Sequence, residues 1–351
     1  MPCFAQIGYT ISGSVRGITT DKVYIVSNIG RPDTLGVTGV TNGNFVFTGK
    51  VDDGVCAVKI VFGGVEEEVP VLLENKMYRI QVSQDGVSIS GGGEATKLYG
   101  EFNRVVREYA TVQEAVMAEF NATGNDASQA TALQSRIDVA YKASVQKTLD
   151  LIKANPGSYV SAYVIATGIR SDSEELLREK YGLLNDAARS TVPGKEIEAA
   201  LAAYDKVAVG QPAPDFTVKR PNGDELSLSG IPAKIKLLVF WASWDAASRE
   251  ANPEFIRLYL QYRPKSFEIV SLSLDDNRFA WDRAIEQDGI SIWSNGSDLQ
   301  GTDSPVAKTY MVGSSLPYTV LIDEENKIVA KGLLGDELRK TVADLVKRKR
   351  K

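Results

Sequence analysis

The sequence predicts a multidomain α+β protein: an N-terminal antiparallel β-sandwich or barrel over residues 5–93, a helical segment over 94–207, and an α/β domain with a mixed central sheet over 208–351. Three observations predict it. Alternating apolar runs separated by turn signals fill the first part. From Glu94 the apolar period changes from two to between three and four, and beyond Val207 strand-like and helix-like stretches alternate. A chain of 351 residues is also longer than one hydrophobic core usually organises.

The strands come first. Ile7, Tyr9 and Ile11 alternate with polar or small residues, as do Val23 and Ile25. Asn42-Gly43 is a hairpin-turn signal ahead of the alternating Asn44-Phe45-Val46-Phe47. Further runs follow at Val58–Phe62, Glu68–Leu73, Tyr78–Val82 and Gly86–Ile89, with Gly63-Gly64 punctuating one hairpin. Strands this short at this spacing indicate a sandwich or barrel. The triplet Glu66-Glu67-Glu68 reads as a solvated hairpin tip rather than a cation site. Gly91-Gly92-Gly93 ends the sheet; without a following Gly-Lys-Ser/Thr it is a linker and not a phosphate loop.

The helices follow. Leu98, Phe102, Val105, Tyr109, Val112, Val116 and Phe120 form one apolar stripe, and Leu133, Ile137, Tyr141, Val145, Leu149 and Ile152 a second, ending before Asn155-Pro156-Gly157. A short polar link joins them, the pattern of an antiparallel helical hairpin. Its Asn121-Ala122-Thr123 matches a glycosylation triplet too short to carry weight. Shorter helices are expected over Tyr159–Ile169, Ser173–Leu184 and Pro193–Tyr204, then a Gly/Pro linker at 207–214.

In the last part, Phe216-Thr217-Val218 and Leu226-Ser227-Leu228 flank the turn Pro221-Asn222-Gly223. A strand Ile235–Trp241 leads into a helix Ala246–Tyr262, then a strand Glu268–Leu274 and a helix Arg278–Gln287. A long loop runs through Gly301–Pro305 to a strand Tyr318–Asp323, a turn at Glu325-Asn326, the strand Ile328–Ala330 and a closing helix Asp336–Lys349. Strand-helix-strand followed by two strands and a helix makes a mixed-sheet α/β domain.

Composition excludes several chemistries. The chain has no histidine, which removes Ser-His and Cys-His nucleophile pairs, imidazole bases and His-ligated metals. A net charge of −5 argues against non-specific nucleic-acid binding. The basic run Lys347–Lys351 suits a helix C-terminus. The two cysteines, Cys3 and Cys56, lie far from the last domain, and Cys56 sits in the apolar run Val55–Val58 as a small buried hydrophobe. Whether the two pair is not legible in the sequence. No stretch is long and apolar enough for a transmembrane helix. Met1–Gln6 ends in a small residue followed by Gln6, as the close of a secretory signal does, but lacks its basic and apolar regions. It reads as the shortened start of an exported chain, as an ordinary frayed terminus, or as a lipid-attachment remnant at Cys3.

Val209-Gly210-Gln211-Pro212-Ala213-Pro214-Asp215-Phe216 resembles the opening motif of envelope thiol-disulfide oxidoreductases in the thioredoxin superfamily, of the AhpC/TSA/thioredoxin type. Phe240-Trp241-Ala242-Ser243-Trp244, with Arg249 and Pro253, is similar to their active-site turn. Leu316–Asp323 resembles the segment holding their cis-proline, and Asn326–Val329 the hairpin after it. The resemblance covers residues 208–351 and implies a thioredoxin-like domain, a periplasmic or cell-envelope location and a W-C-x-x-C redox centre. The N-terminal strands, with Ile11-Ser12-Gly13 and Asn42–Phe45, resemble a β domain of unknown function fused ahead of such domains.

Asp245 and Ser248 stand at the two cysteine positions that the resemblance implies, and Val239 stands where the family carries a buried acid. A thiolate activated at a helix N-terminus attacks a disulfide and a second thiol resolves it; neither Asp nor Ser does either. No catalytic residue, cofactor or metal is therefore assigned. The resemblance leaves a binding groove of Trp241, Trp244, Leu316 and Pro317, suited to an extended peptide or protein client. The leading expectation is a non-redox peptide- or protein-binding scaffold. A thiol-disulfide oxidoreductase using Cys3 or Cys56, and acid/base work by Asp245 with Ser248, stand as alternatives. So does the plainer reading that Trp241 and Trp244 are packing remnants and Asp245 only a helix cap. The sequence does not specify an oligomeric state.

Overall fold

In a computed structural model, residues 8–17, 19–29, 33–64, 68–83, 86–122 and 127–347 are described. The opening segment with Cys3 and Ile7, the acidic pair Glu66 and Glu67, Thr123 of the glycosylation triplet, and the basic residues 348–351 lie outside the described residues. The chain divides into two compact units: residues up to Ile169 together with Glu175–Glu198, and Arg170–Glu174 together with residues from Ala199 on.

The first unit opens with eight strands: β1 (Tyr9–Val15), β2 (Lys22–Ser27), β3 (Thr34–Gly39), β4 (Asn44–Gly49), β5 (Val55–Phe62), β6 (Glu68–Glu74), β7 (Met77–Ser83) and β8 (Gly86–Gly91). They form two four-stranded sheets, ordered β4-β1-β7-β8 and β3-β2-β5-β6. Inward residues from both sheets, among them Ile11, Phe45, Ile80, Ile25, Ile60 and Leu73, share one core, which makes the pair a sandwich. Asn42 (φ 50°) and Gly43 (φ 72°) both take the positive φ that a tight primed turn demands, and this turn feeds β4. One pair departs from the antiparallel expectation: β1 and β7 run parallel, Ile11 opposite Tyr78. Parallel neighbours need a long crossover, and the chain between them supplies it, with β2, β3, β5 and β6 in the other sheet and β4 returning to pair with β1.

Six helices follow: α1 (Glu94–Ala122), α2 (Ala127–Ala154), α3 (Tyr159–Thr167), α4 (Glu174–Gly182), α5 (Asp186–Arg189) and α6 (Val192–Lys206). Glu108 pairs with Lys147 at 2.6 Å, and Glu119 pairs with Arg136. Stepping up α1 therefore matches stepping down α2, the antiparallel hairpin expected from the two stripes. The buried Glu74 at the end of β6 starts α1, its Oε2 accepting from Gly93 N (2.8 Å) and Thr96 N (3.2 Å).

The second unit contains β9 (Thr217–Lys219), β10 (Glu225–Ser227), β11 (Ile235–Trp241), α7 (Ala246–Tyr262), β12 (Phe267–Ser273), α8 (Arg278–Asp288), β13 (Ser294–Ser297), α9 (Pro305–Thr309), β14 (Tyr318–Ile322), β15 (Ile328–Lys331) and α10 (Gly335–Lys347). The strands form one seven-stranded mixed sheet, ordered β10-β9-β13-β12-β11-β14-β15. β11 is parallel to β12 and antiparallel to β14, and all seven of its residues are buried. Strand alternation sends Leu237, Val239 and Trp241 into the core under α7, α8 and α10, and Leu238 and Phe240 into the core on the other face. This corrects one sequence expectation. Trp241, assigned to the groove, is only 1% exposed and belongs to the core, because the strand continues through it before the turn begins.

Candidate functional site

The site is built where β11 passes into α7. Asp245 takes extended backbone angles (φ −92°, ψ 113°) as the N-cap of α7, and its carboxylate accepts from Ser248 N at 2.7 Å. A charged acceptor here satisfies a free N–H and meets the positive end of the helix dipole. Ser248, three residues on, is 1% exposed, and its Oγ has no hydrogen-bond partner among the described residues.

Trp244 stands on the same turn and is 61% exposed. The other three tryptophans, Trp241, Trp281 and Trp293, are buried. The turn that carries Trp244 is tied down on both sides. Ser243 donates to the buried Asp275 just beyond β12, through its backbone N (3.1 Å) and through its Oγ (2.6 Å). Asp275 also accepts from Ser273 Oγ at 2.6 Å. Arg249 Nη1 donates to the Ser243 carbonyl at 3.2 Å, while its Nε and Nη2 grip Asp288 at the end of α8. Asn252 Nδ2 adds a 2.7 Å bond to the same carboxylate. The Asp288 hydrogen bond raises the Arg249 pKa above its ordinary value, so the clamp stays charged.

Leu316 and Pro317 precede β14, are partly exposed and are joined by a cis peptide bond. Tyr318 lies opposite Phe240 in the β11–β14 register, so Leu316–Pro317 and the Ser243–Asp245 turn occupy the same end of the sheet. The structure thus brings Trp244, Asp245, Ser248, Leu316 and Pro317 to one end and leaves Trp241 inside. Val239, opposite Thr319 on β14 and Ser271 on β12, is 2% exposed within the apolar core.

The opening motif has its own role. Gly210 N donates to Ile328 O and Ile328 N to Gln211 O, so residues 210–212 line the outer edge of β15. Tyr310 Oη donates to Pro214 O at 2.5 Å, and burial pushes its pKa up.

Sequence reasoning missed Asp275 and Asp288. Asp275 carried a signal, an acid directly after an apolar strand, where the carboxyl ends of parallel strands gather functional groups. Cys56, in the first unit, is a free thiol on β5, partly buried, and burial pushes its pKa up to about 11. Such a thiol is protonated at neutral pH and a poor nucleophile. Among the described residues no group of three or more acidic or cysteine side chains is placed to hold a metal ion, and no helix is long and apolar enough to cross a membrane.

Residues 209–331 match the AhpC/TSA family, and residues 9–98 match a domain of unknown function, DUF4369. Thiol-disulfide oxidoreductase ResA of Bacillus thuringiensis (strain Al Hakam) is 27% identical over 150 residues, 42% of this chain and 82% of that protein. ResA of Bacillus subtilis (strain 168) is 28% identical over 131 residues, 37% of this chain and 70% of its own length. A solved thiol-disulfide oxidoreductase from Bacteroides fragilis NCTC 9343 is 36% identical, covering 38% of this chain and 99% of that one at a TM-score of 0.37. The C-terminal part of the chain is an AhpC/TSA-type, thioredoxin-like domain homologous to thiol-disulfide oxidoreductases, and it follows an N-terminal DUF4369 domain.

Proposed function

We propose that this protein is a non-redox member of its kind, a cell-envelope scaffold whose thioredoxin-like domain binds an extended polypeptide at the Trp244 end of the sheet. Asp245 and Ser248 occupy the positions of the homologues' redox cysteines in this reading, and Leu316–Pro317 forms the opposite wall. The observation that carries it is Trp244: a large aromatic, 61% exposed, held on a turn fixed by Asp275 and Arg249. A rigid exposed aromatic is a contact surface of the kind that peptide-binding sites use. Two further facts support the absence of redox chemistry. No cysteine lies between residues 57 and 351, and the Cys56 thiol is held protonated by burial.

The test uses the full chain. Because the other tryptophans are buried, acrylamide quenching reports mainly on Trp244. Blocked extended peptides with aromatic and aliphatic side chains should protect it from quenching and shift its emission to the blue. In Trp244→Ala their affinity should fall by at least about tenfold, the cost of truncating an aromatic anchor. Insulin disulfide reduction should be absent. Reductase activity that survives Cys3→Ser with Cys56→Ser, or peptide affinity unchanged in Trp244→Ala, would overturn the proposal.

A further inference from the structure

The first unit holds a cavity of about 990 Å³, at the upper end of the usual range for small-ligand sites. Its walls come from β2, β3, β5 and β6, from Tyr9 at the start of β1, from the β4–β5 connection and from the starts of α3 and α6. The buried Ile25, Ala57 and Leu73 back it. In front of them the walls show open apolar side chains: Leu35 and Val192 are 51% and 54% exposed, and Ile29 and Val55 are partly exposed. Four such side chains around one hollow suit an apolar body better than water.

Three protic side chains also line this cavity: Tyr9, Tyr159 and Cys56. Tyr9 lies across Gly49, its partner in the β1–β4 register, where an added Cβ would come within 2.5 Å of the phenol oxygen. Its hydroxyl has no hydrogen-bond partner among the described residues, and the side chain is only partly buried. Tyr159 Oη accepts from Ala57 N at 3.1 Å and donates to no described residue. Cys56, beside Ala57 on β5, is a free thiol. Tyr9 and Cys56 pack against the same sandwich core. Burial raises the pKa of both phenols and Cys56 adds to this electrostatically, so the three groups stand as neighbours. Tyr159, its oxygen already accepting, offers a proton, and Tyr9 and Cys56 are free to donate as well.

The charged groups do not decide the ligand. Lys50 pairs with Asp52 at 2.9 Å. That leaves Asp53 and Lys195, both exposed to solvent and neither ion-paired among the described residues. One cation and one anion in water favour neither sign of head group. The choice falls to the protic cluster, which calls for an acceptor oxygen on an apolar body.

We propose that this cavity binds a single acyl chain, its carboxyl oxygen accepting from the Tyr9 and Tyr159 hydroxyls and its hydrocarbon lying against Leu35, Val55 and Val192. A free fatty acid and a single-chain phospholipid present the same chain and the same acceptor, and the head group separates the two.

Cys56 reports on the site from its own wall, and in the full chain carrying Cys3→Ser it is the only thiol. Its alkylation by iodoacetamide at mildly alkaline pH is followed by mass spectrometry with decanoate, hexanoate, decylamine or decanoyl-lysophosphatidylcholine present below its micellar concentration. Decanoate should slow the reaction saturably. Hexanoate, with a shorter chain, and decylamine, whose protonated head accepts no hydrogen bond, should each bind at least about tenfold more weakly. Tighter binding of decanoate than of the lysolipid identifies the free acid as the ligand; the reverse identifies the phospholipid. Tyr9→Phe keeps the ring and removes the hydroxyl. It should weaken decanoate by about fivefold without moving the urea midpoint, since that hydroxyl bonds to nothing in the folded chain. Equal protection by decylamine, absence of saturable protection by both acyl ligands, or unchanged decanoate affinity in Tyr9→Phe would overturn the proposal.

Discussion

Replacing Asp245 by alanine removes the acceptor used by Ser248 N and the negative charge at the start of a 17-residue helix. Loss of an N-cap side chain costs about 1 kcal/mol. Loss of a carboxylate at the positive end of a helix costs a further ~0.5 kcal/mol. The sum, about 1.5 kcal/mol, corresponds to a fall of about 0.7 M in the urea midpoint at a slope of ~2 kcal/mol/M. Asp245→Asn keeps the cap and loses only the charge, so its midpoint should fall by only about 0.2 M. All four tryptophans lie in the second unit, so their emission follows the unfolding of this unit alone. Peptide protection of Trp244 should persist in Asp245→Asn, because in this account the carboxylate serves the helix and not the ligand. Equal loss in the two variants, or no measurable loss in Asp245→Ala, would refute the capping argument.

Two further predictions rest on the same structure. Asp275→Ala strips three donors, Ser243 N, Ser243 Oγ and Ser273 Oγ, of a buried acceptor. It should destabilise the second unit by about 3 kcal/mol and loosen Trp244, read as faster acrylamide quenching in the still-folded protein. Cys56, with its pKa raised from an ordinary 9.0 to about 11, has about a hundredfold less thiolate at neutral pH than an ordinary thiol. Its alkylation by iodoacetamide in native protein should be slower by about that factor. The folded state binds the Cys56 proton more tightly than the unfolded chain does. Its contribution is therefore complete below pH 9 and is lost as pH rises towards 11, an alkaline decline that Cys56→Val should lessen in urea unfolding followed by circular dichroism.

Much of this architecture was legible because periodicity and burial agree. β11 reads as an unbroken apolar run and is buried on both faces; the stripes of α1 and α2 face each other; the N-cap pattern at Asp245 marks the true start of α7. Two strands escaped. β13 is Ser294-Asn295-Gly296-Ser297, with no apolar residue to betray it. It is buried through hydrogen bonds of Asn295 and Ser297, and Val218 and Leu226 crowd against Gly296 where a side chain would stand. β3, at the edge of its sheet, shows Leu35 and Val37 to solvent, so its alternation has no buried face to reveal.

The candidate site was legible by residue type and less so by direction. Trp241 and Trp244 look alike in the sequence, and only the residue at which the strand stops decides that one is core and the other surface. Asp275 and Asp288 act on the turn from other elements, across 32 and 39 residues of chain, a relation that no local pattern encodes.

Glu74 has a consequence for how this protein can be divided. Its carboxylate belongs to the sandwich, but the donors that satisfy it, Gly93 N, Thr96 N and Thr96 Oγ1, belong to the start of α1. A fragment that stopped at the glycines would strand a buried acid. A fragment that keeps this acid satisfied carries the first helical turn with it, and the matched DUF4369 region does so, ending at residue 98, inside α1. A cut that leaves Glu74 satisfied therefore falls beyond the hydrogen-bonded corner at Thr96 and not at the glycines beside it.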